Sequence, residues 1–140
     1  MRVRSFQLSD HRSVEALLEQ VLCDECLEET REALMRQLSW DSDLVLVAEH
    51  DETVIGVLIG TVEGHEGYIY RIEVHPDYRR QGVGNALIQA VNVRFRQRNI
   101  RQVLAAVDKH HPDFASFYQS VGLPSVDLAE RARPLAILAG

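Results

Sequence analysis

The segment Val74-His75-Pro76-Asp77-Tyr78-Arg79-Arg80-Gln81-Gly82-Val83-Gly84-Asn85-Ala86-Leu87 carries the strongest structural signal in the chain. An apolar strand ends at a His-Pro-Asp turn, two arginines and a Gly-x-Gly step follow, and a helix with an apolar stripe then begins. Glycines let the backbone approach a ligand closely and point several N–H groups at one spot. The helix adds its unpaired first-turn donors and the positive end of its dipole. The segment therefore predicts a strand–loop–helix unit that holds a phosphate or pyrophosphate.

Hydrophobic patterning places this unit inside a longer series of strands and helices. Strands are predicted at 3–7, 44–48, 54–62, 68–74, 102–107, 126–130 and 135–139. Helices are predicted from a cap at Ser9 or Asp10 to Leu22, from Leu27 to Trp40, at 83–98, and at 112–121 with Gly122 as the residue that ends it. The order is β-α-α-β-β-β-α-β-α-β-β. It predicts one α/β (α+β) domain over residues 1–140, with a mixed, mostly antiparallel sheet flanked by helices and a short C-terminal strand pair.

Composition excludes several other classes of protein. With 140 residues, 46% hydrophobic and 26% charged, the chain suits one globular domain with its own core. No apolar stretch is long enough to cross a bilayer, and the basic N-terminus leads into no apolar signal segment, so we expect a cytoplasmic protein that does not bind membranes. The net charge of −6 argues against a general nucleic-acid-binding protein.

Two local clusters have both an ordinary and a specific interpretation. Five acidic residues lie between Asp24 and Glu32, and such clusters are usually solvated helix faces, although they can also attract a cationic substrate. Cys23 and Cys26 form a single C-x-x-C. We interpret them as two thiols at a helix end rather than as a redox pair or half of a zinc site, and we expect no metal centre.

Three known phosphate motifs can be compared with the Arg–Gly loop. A Walker A loop requires Gly-Lys-Ser or Gly-Lys-Thr, which the chain lacks. A dinucleotide fingerprint requires a third glycine where Leu87 stands. The third pattern, Arg or Gln-x-x-Gly-x-Gly or Ala after a central strand, matches Arg79–Gly84 at every fixed position.

That third pattern is the coenzyme A motif of the GNAT-type N-acetyltransferases, and the chain resembles this family over nearly its full length. Ile72–Tyr78 is similar to the usual lead-in strand and turn, and Phe117–Leu123 is similar to the family's Phe-Tyr-x-x-x-Gly-Phe segment. The resemblance implies a GNAT-like fold that uses acetyl-CoA as co-substrate.

The resemblance also implies where the donor would bind. The backbone N–H groups of the loop and first helical turn would hold the pyrophosphate, with added charge from two arginines; these residues are Arg79, Arg80, Gln81, Gly82, Val83, Gly84 and Asn85. The strand around Ile72 and Val74 would pair its backbone with the pantetheine arm, and a bulge in that strand would open the slot. A main-chain N–H near Val74 would polarise the thioester carbonyl. The more distant Arg94, Arg96, Arg98 and Arg101 are expected to be exposed and solvated.

Two residues are the candidate catalytic groups. Tyr118 lies in the matched C-terminal segment and can donate a proton to the leaving thiolate, although its spacing from Phe114 and Phe117 also suits an ordinary buried aromatic residue. Glu73 is a candidate general base through a water molecule, or else pairs with Arg71 on the same face of the strand. Weaker candidates for the base are Asp108, His75, His110 and His111.

Several departures from the family pattern bear on the acceptor. Ala106 occupies a position where the ribosomal-protein N-terminal acetyltransferases carry a glutamate, and the C-terminal end is short. The short end leaves open an exposed acceptor pocket or one completed by a second subunit in a homodimer. The sequence predicts an N-acetyltransferase that acts on a primary amine of a small molecule or peptide by direct attack in a ternary complex. The alternative is a non-catalytic acyl-CoA-binding sensor or assembly module.

Overall fold

The computed structural model describes residues 1–107, 119–120, 122 and 125–127. Six strands form one sheet in the order in which they occur along the chain. They are β1 (Arg2–Ser5), β2 (Val45–His50), β3 (Thr53–Glu63), β4 (Glu66–Val74), β5 (Gln102–Val107) and β6 (Ser125–Asp127). Neighbours from β1 to β4 are antiparallel, whereas β5 runs parallel to both β4 and β6. The mixed, mostly antiparallel sheet predicted from the sequence is therefore confirmed.

In residues 1–107, three helices cover the two faces of this sheet. Helices α1 (His11–Val21) and α2 (Asp24–Trp40) pack on one face, and α3 (Val83–Gln97) packs on the other. The strands alternate accordingly: Val45 and Val47 belong to the core under α1 and α2, whereas Leu46 and Ala48 belong to the core under α3. Successive side chains of a strand point to opposite faces. Because helices cover both faces here, β2 and β3 are continuous apolar runs in the sequence, and these runs are the basis of the strand prediction.

Helix α3 lies close to the sheet because three glycines lie beneath it. A Cβ atom at Gly67 would be 3.0 Å from ring carbons of Phe95, and one at Gly56 would be 3.0 Å from a methyl carbon of Val83. Gly60 is similarly close to Phe95, at 3.3 Å. Since Val83 begins α3, this packing fixes where the helix N-terminus and the preceding loop lie relative to β4.

The first helix differs from its prediction at its N-terminus. A single 3₁₀ turn at Leu8–Asp10 precedes α1, and the Asp10 side chain does not cap α1. The Asp10 carboxylate instead accepts hydrogen bonds from the backbone N–H of Gln7 at 2.7 Å and from Arg4 at 2.7 Å. Asp10 is thus the N-cap residue of α1, one of the two residues expected there, but it makes no capping hydrogen bond because a nearby guanidinium and the turn before the helix use its carboxylate.

Arg94 of α3 and Arg98, the residue that follows this helix, make contacts that the sequence did not predict. Arg94 donates to the Ser5 hydroxyl and to the Asp43 carbonyl, both at 2.6 Å, and Arg98 forms an ion pair with Asp41 at 2.8 Å. They connect the end of α3 to β1 and to the segment before β2, so the expectation that they are merely solvated is wrong. Arg96 and Arg101 are exposed, as expected.

The C-terminal predictions are tested only in part. Gln119 and Ser120 are helical, and Gly122 has φ +81°, the left-handed conformation expected of the residue that ends a helix. Strand β6 overlaps the strand predicted at 126–130. The rest of the last helix and the strand predicted at 135–139 lie outside the described residues. Within the described part of the chain, no helix is long and apolar enough to cross a membrane.

Candidate active site

Strand β4 contains a bulge at Tyr70. Ile59 of β3 pairs with Arg71 and the next residue, Gly60, pairs with Ile69, which leaves Tyr70 as an extra residue on β4. Ile69 and Ile72 consequently both pack under α3 although they are three residues apart. The bulge that the family resemblance implied is therefore present in this strand. In a regular strand, residues on one face are two or four positions apart, whereas these two isoleucines are three apart. This spacing is the sequence signal that could have located the bulge.

The bulge coincides with the point where two parallel strands separate. Residues Glu66 to Ile69 of β4 pair with Gln102 to Ala105 of β5, and among the described residues no pair continues past Ile69. From Ala105 onward β5 pairs with β6 instead. The edge of β4 from Tyr70 to Val74 therefore borders an opening at the carboxyl ends of two parallel strands, where open α/β sheets generally bind ligands.

The bulge also determines which side chains face α1 and α2. Tyr70 and Arg71 lie on the same face of the sheet, and the Arg71 guanidinium carbon is 5.8 Å from the centre of the Tyr70 ring. Glu73 lies on this face too, because Ile72 and Val74 on either side of it pack toward α3. Arg71 and Glu73 are buried, with 6% and 1% of their surface exposed. A buried guanidinium and a buried carboxylate thus lie two residues apart beside the opening.

The segment after β4 has the backbone geometry of an anion-binding loop. A 3₁₀ turn at Pro76–Tyr78 is followed by Arg80 with φ +62° and Gly82 with φ +81°. Gly82 is the N-cap of α3, and the first helical hydrogen bond runs from Ala86 N–H to its carbonyl at 3.0 Å. The N–H groups of Val83, Gly84 and Asn85 therefore precede the first helical bond and have no partner within the helix. A left-handed residue followed by helical residues points successive N–H groups at one spot, which is an anion-binding arrangement.

Arg79 and Gln81 hold the loop against the end of β4. The Arg79 Nε donates to the Val74 carbonyl at 3.2 Å, and the Gln81 amide donates to the Asp77 carbonyl at 3.3 Å. Arg79 and Arg80 are both exposed. The structure thus gives Arg79 a loop-bracing contact that sequence reasoning missed, in addition to the charge expected of it.

The turn before the loop is fixed by the neighbouring hairpin. The His75 backbone N–H donates to the Ile55 carbonyl at 2.8 Å, and the His75 Nδ1 accepts from the Asp77 backbone N–H at 3.1 Å. The Tyr78 ring lies between His50 and His75, with centroid distances of 5.7 and 5.8 Å. The His75 ring therefore braces the turn, a role that the sequence did not indicate.

The other site predictions have different outcomes. Tyr118, Asp108, His110 and His111 lie outside the described residues. The acidic segment forms the first half of α2, where its five acidic residues are exposed. Arg31 of the same helix pairs with Glu15, Glu19 and Glu28, and the hydrogen bond to Glu15 is the main cause of its raised pKa. This arrangement agrees with a solvated helix face.

Comparisons with known proteins agree with this geometry. The family model described as the acetyltransferase (GNAT) family matches residues 14–123. An acetyltransferase of Pectobacterium atrosepticum is 29% identical over 127 residues, which cover 91% of this chain and 90% of that protein.

Two solved structures have the same fold. Ard1 from Thermoplasma volcanium superposes with a TM-score of 0.72 at 23% identity, covering 86% of this chain and 80% of that one. The PaiA N-acetyltransferase from Thermoplasma acidophilum, in complex with coenzyme A, superposes with a TM-score of 0.70 at 17% identity, covering 86% and 87%.

Proposed function

The chain belongs to the acetyltransferase (GNAT) family, and from this premise we propose that it is an acetyl-CoA-dependent N-acetyltransferase. The acceptor would be a primary amine of a small molecule or peptide, which attacks the thioester directly in a ternary complex. The observation that carries the proposal is the continuity of β4 with the loop. Strand β4 separates from β5 at Tyr70, and it is followed by the short 3₁₀ turn at Pro76–Tyr78, the Arg–Gly loop and the N-terminus of α3.

This continuity suits a ligand with a charged end and an extended arm. The pyrophosphate of acetyl-CoA would accept hydrogen bonds from N–H groups between Gln81 and Asn85, with Arg80 adding positive charge. The pantetheine arm would lie along the edge of β4 at Ile72–Val74, as a strand added to a sheet does. A main-chain N–H near Val74 would then be in position to polarise the thioester carbonyl.

The acceptor would approach from the face that carries Glu73. In this proposal Glu73 accepts a proton from the attacking ammonium through a water molecule, and Tyr118 donates a proton to the departing thiolate. The role of Glu73 is supported by its burial beside the opening, whereas that of Tyr118 is carried over from the family resemblance. An ion pair between Glu73 and Arg71 is the competing assignment, and in that case substitution of Glu73 would lower stability more than turnover.

The test is thiol release from acetyl-CoA with a panel of primary amines. We expect turnover with at least one amine, and a fall in kcat of about 100-fold or more in Tyr118→Phe and in Glu73→Gln, the usual size of a general acid or base contribution. Tyr68→Phe is a matched control, because the Tyr68 hydroxyl donates to Glu66 at 2.7 Å in the paired part of β4. We expect the control to keep its kcat.

Each remaining outcome separates the hypotheses. Binding of acetyl-CoA without thiol release for any amine would favour the non-catalytic sensor. No binding of coenzyme A by calorimetry would reject both the enzyme and the sensor. Unchanged kcat in Tyr118→Phe would remove that residue as the acid and leave the donor site unaffected.

A further inference from the structure

The two cysteines are not used by the proposed acetyl transfer, yet they occupy distinct positions at the start of α2. Cys23 is the N-cap residue, with φ −70° and ψ 165°, and Cys26 is the third residue of the helix. Cys23 is exposed and Cys26 is buried, and both are thiols in this structure. Cys26 has 0% of its surface exposed and packs in the core formed with α1 and β3.

The Cys23 sulfur already faces the backbone of Cys26. Its Sγ accepts the Cys26 N–H at 3.5 Å, so the N-cap is a thiol where a hydroxyl or carboxylate is usual. The contact places the sulfur of the exposed thiol beside the first turn of α2, next to the backbone of the second cysteine.

The second sulfur is within reach of the first. The nitrogen that contacts Cys23 Sγ belongs to Cys26, and it is only three bonds from the Cys26 sulfur. Residues three apart on a helix have Cα atoms about 5 Å apart, inside the range of about 4.4–6.8 Å that a disulfide requires. The spacing of the two residues at the helix start therefore suits a disulfide between them.

In place of the interpretation drawn from the sequence alone, we propose that Cys23 and Cys26 form a reversible dithiol–disulfide pair that reacts with hydroperoxides. The Cys23 sulfur attacks a peroxide oxygen, the O–O bond breaks, and the thiol proton passes to the leaving oxygen, giving a sulfenic acid and water or an alcohol. The Cys26 sulfur then attacks the Cys23 sulfur, the S–S bond forms, and the hydroxyl group leaves as water with the Cys26 proton. Two thiols are oxidised and one hydroperoxide is reduced, and a small-molecule dithiol reverses the change.

The different exposures of the two thiols assign their roles. An exposed sulfur can meet a hydroperoxide from solution, whereas a sulfur with no exposed surface can react only with a neighbour. Cys23 is therefore the residue that is attacked by the oxidant and Cys26 the residue that resolves the product. This inference concerns a surface remote in sequence from the Arg–Gly loop and stands whether or not the chain transfers acetyl groups.

The experiment treats the folded full-length chain with hydrogen peroxide, denatures it in N-ethylmaleimide and measures its intact mass. In the wild type we expect the maleimide count to fall from two to zero, with loss of the mass of two hydrogen atoms. Dithiothreitol should restore both adducts. Monomeric migration on a non-reducing gel should show that the disulfide lies within one chain.

Two variants test the separate roles. Cys26→Ser should stop at the sulfenic acid of Cys23, which dimedone traps in several-fold greater yield than in the wild type. Cys23→Ser keeps an N-cap acceptor and hence the helix start, and its buried Cys26 should keep its maleimide adduct after peroxide. Circular dichroism of each variant should match the wild type.

Three results would overturn the inference. One is gain of oxygen at Cys23 in the wild type without loss of the two hydrogens. Another is a disulfide formed only between chains. The third is equal dimedone trapping in the wild type and Cys26→Ser, which would show that Cys26 does not resolve the sulfenic acid.

Discussion

Two residues with positive φ shape the candidate phosphate loop. Arg80, at φ +62°, adopts a conformation that side chains other than glycine rarely take, and Gly82, at φ +81°, takes it without a Cβ penalty. An added Cβ at Gly82 would meet no protein atom within 4 Å. The glycine is therefore needed for its backbone conformation, not for packing.

If the proposed donor site is right, Gly82→Ala should reduce coenzyme A affinity at least tenfold, because the strained backbone and the new Cβ would disturb the N–H groups assigned to the pyrophosphate. Gly64→Ala is the matched control, since Gly64 has φ +60°, also lies in open space, and is in the β3–β4 hairpin. Both variants should lose about 1 kcal/mol of unfolding free energy, but only Gly82→Ala should lose affinity in calorimetry. Equal affinities in the two variants would contradict the loop assignment.

Strand β4 and helix α3 position the site together. The bulge at Tyr70 places Tyr70 on the same face as Arg71 and Glu73, and it lies where the pairing with β5 ends. The glycines under α3 let the helix lie close enough to hold its N-terminus beside the end of β4. The width of the opening is therefore set by strand register on one side and by helix packing on the other.

Gly67→Ala should destabilise the chain by about 1–3 kcal/mol through overpacking, because its Cβ would lie 3.0 Å from the Phe95 ring. Phe95 is 1% exposed and has no free space into which it can move. Phe95→Leu removes the ring, so Gly67→Ala should cost less in that background. Urea denaturation of the four proteins of this double-mutant cycle measures the coupling. Strict additivity would show that the ring is not the obstacle.

Polar contacts tie the C-terminal end of the sheet's first strand to the rest of the molecule. Arg4 of β1 binds Asp10 at 2.7 Å and Glu49 of β2 at 3.1 Å. The next residue, Ser5, is the last of β1 and accepts from Arg94 of α3. Arg4 holds the pKa of the Asp10 carboxyl below its ordinary value, mainly through their hydrogen bond. The edge strand β1 is thus held partly by charge.

The lowered pKa predicts a specific loss of stability in acid. The ionised Asp10 stabilises the folded state, so its contribution is complete above about pH 5 and decreases as the pH falls through the ordinary Asp range toward the lower folded value. Thermal denaturation between pH 7 and pH 3 should show a smaller decrease in Tm for Asp10→Asn than for the wild type. Glu52→Gln, at an exposed position of the β2–β3 turn, should keep the wild-type pH dependence. A parallel decrease in all three would show that Asp10 is not involved.

Local patterns along the chain were sufficient for most of the secondary structure. The apolar runs of β2 and β3, the apolar stripe of α3 and the glycines of the loop depend on residues within a few positions of one another. The strand at 102–107 coincides with β5, and the helix predicted at 83–98 ends one residue beyond α3. The Arg79–Gly84 motif, the lead-in at Ile72–Tyr78 and the segment Phe117–Leu123 together indicated the family, because the spacing inside each is a property of one continuous segment.

Features that join distant segments required the folded chain. The partners of Arg94 and Arg98 lie far from them in sequence, so no local pattern predicted these contacts. The partners are Ser5, Asp41 and Asp43. The separation of β4 from β5 depends on the register of three strands, which is fixed only when they pair. Which cysteine of the C-x-x-C is buried depends on the core against which α2 packs. Short-range spacing thus determined the secondary-structure elements and the Arg–Gly loop. Long-range pairing and packing determined the opening beside Glu73, because burial and register are properties of contacts that no single segment contains.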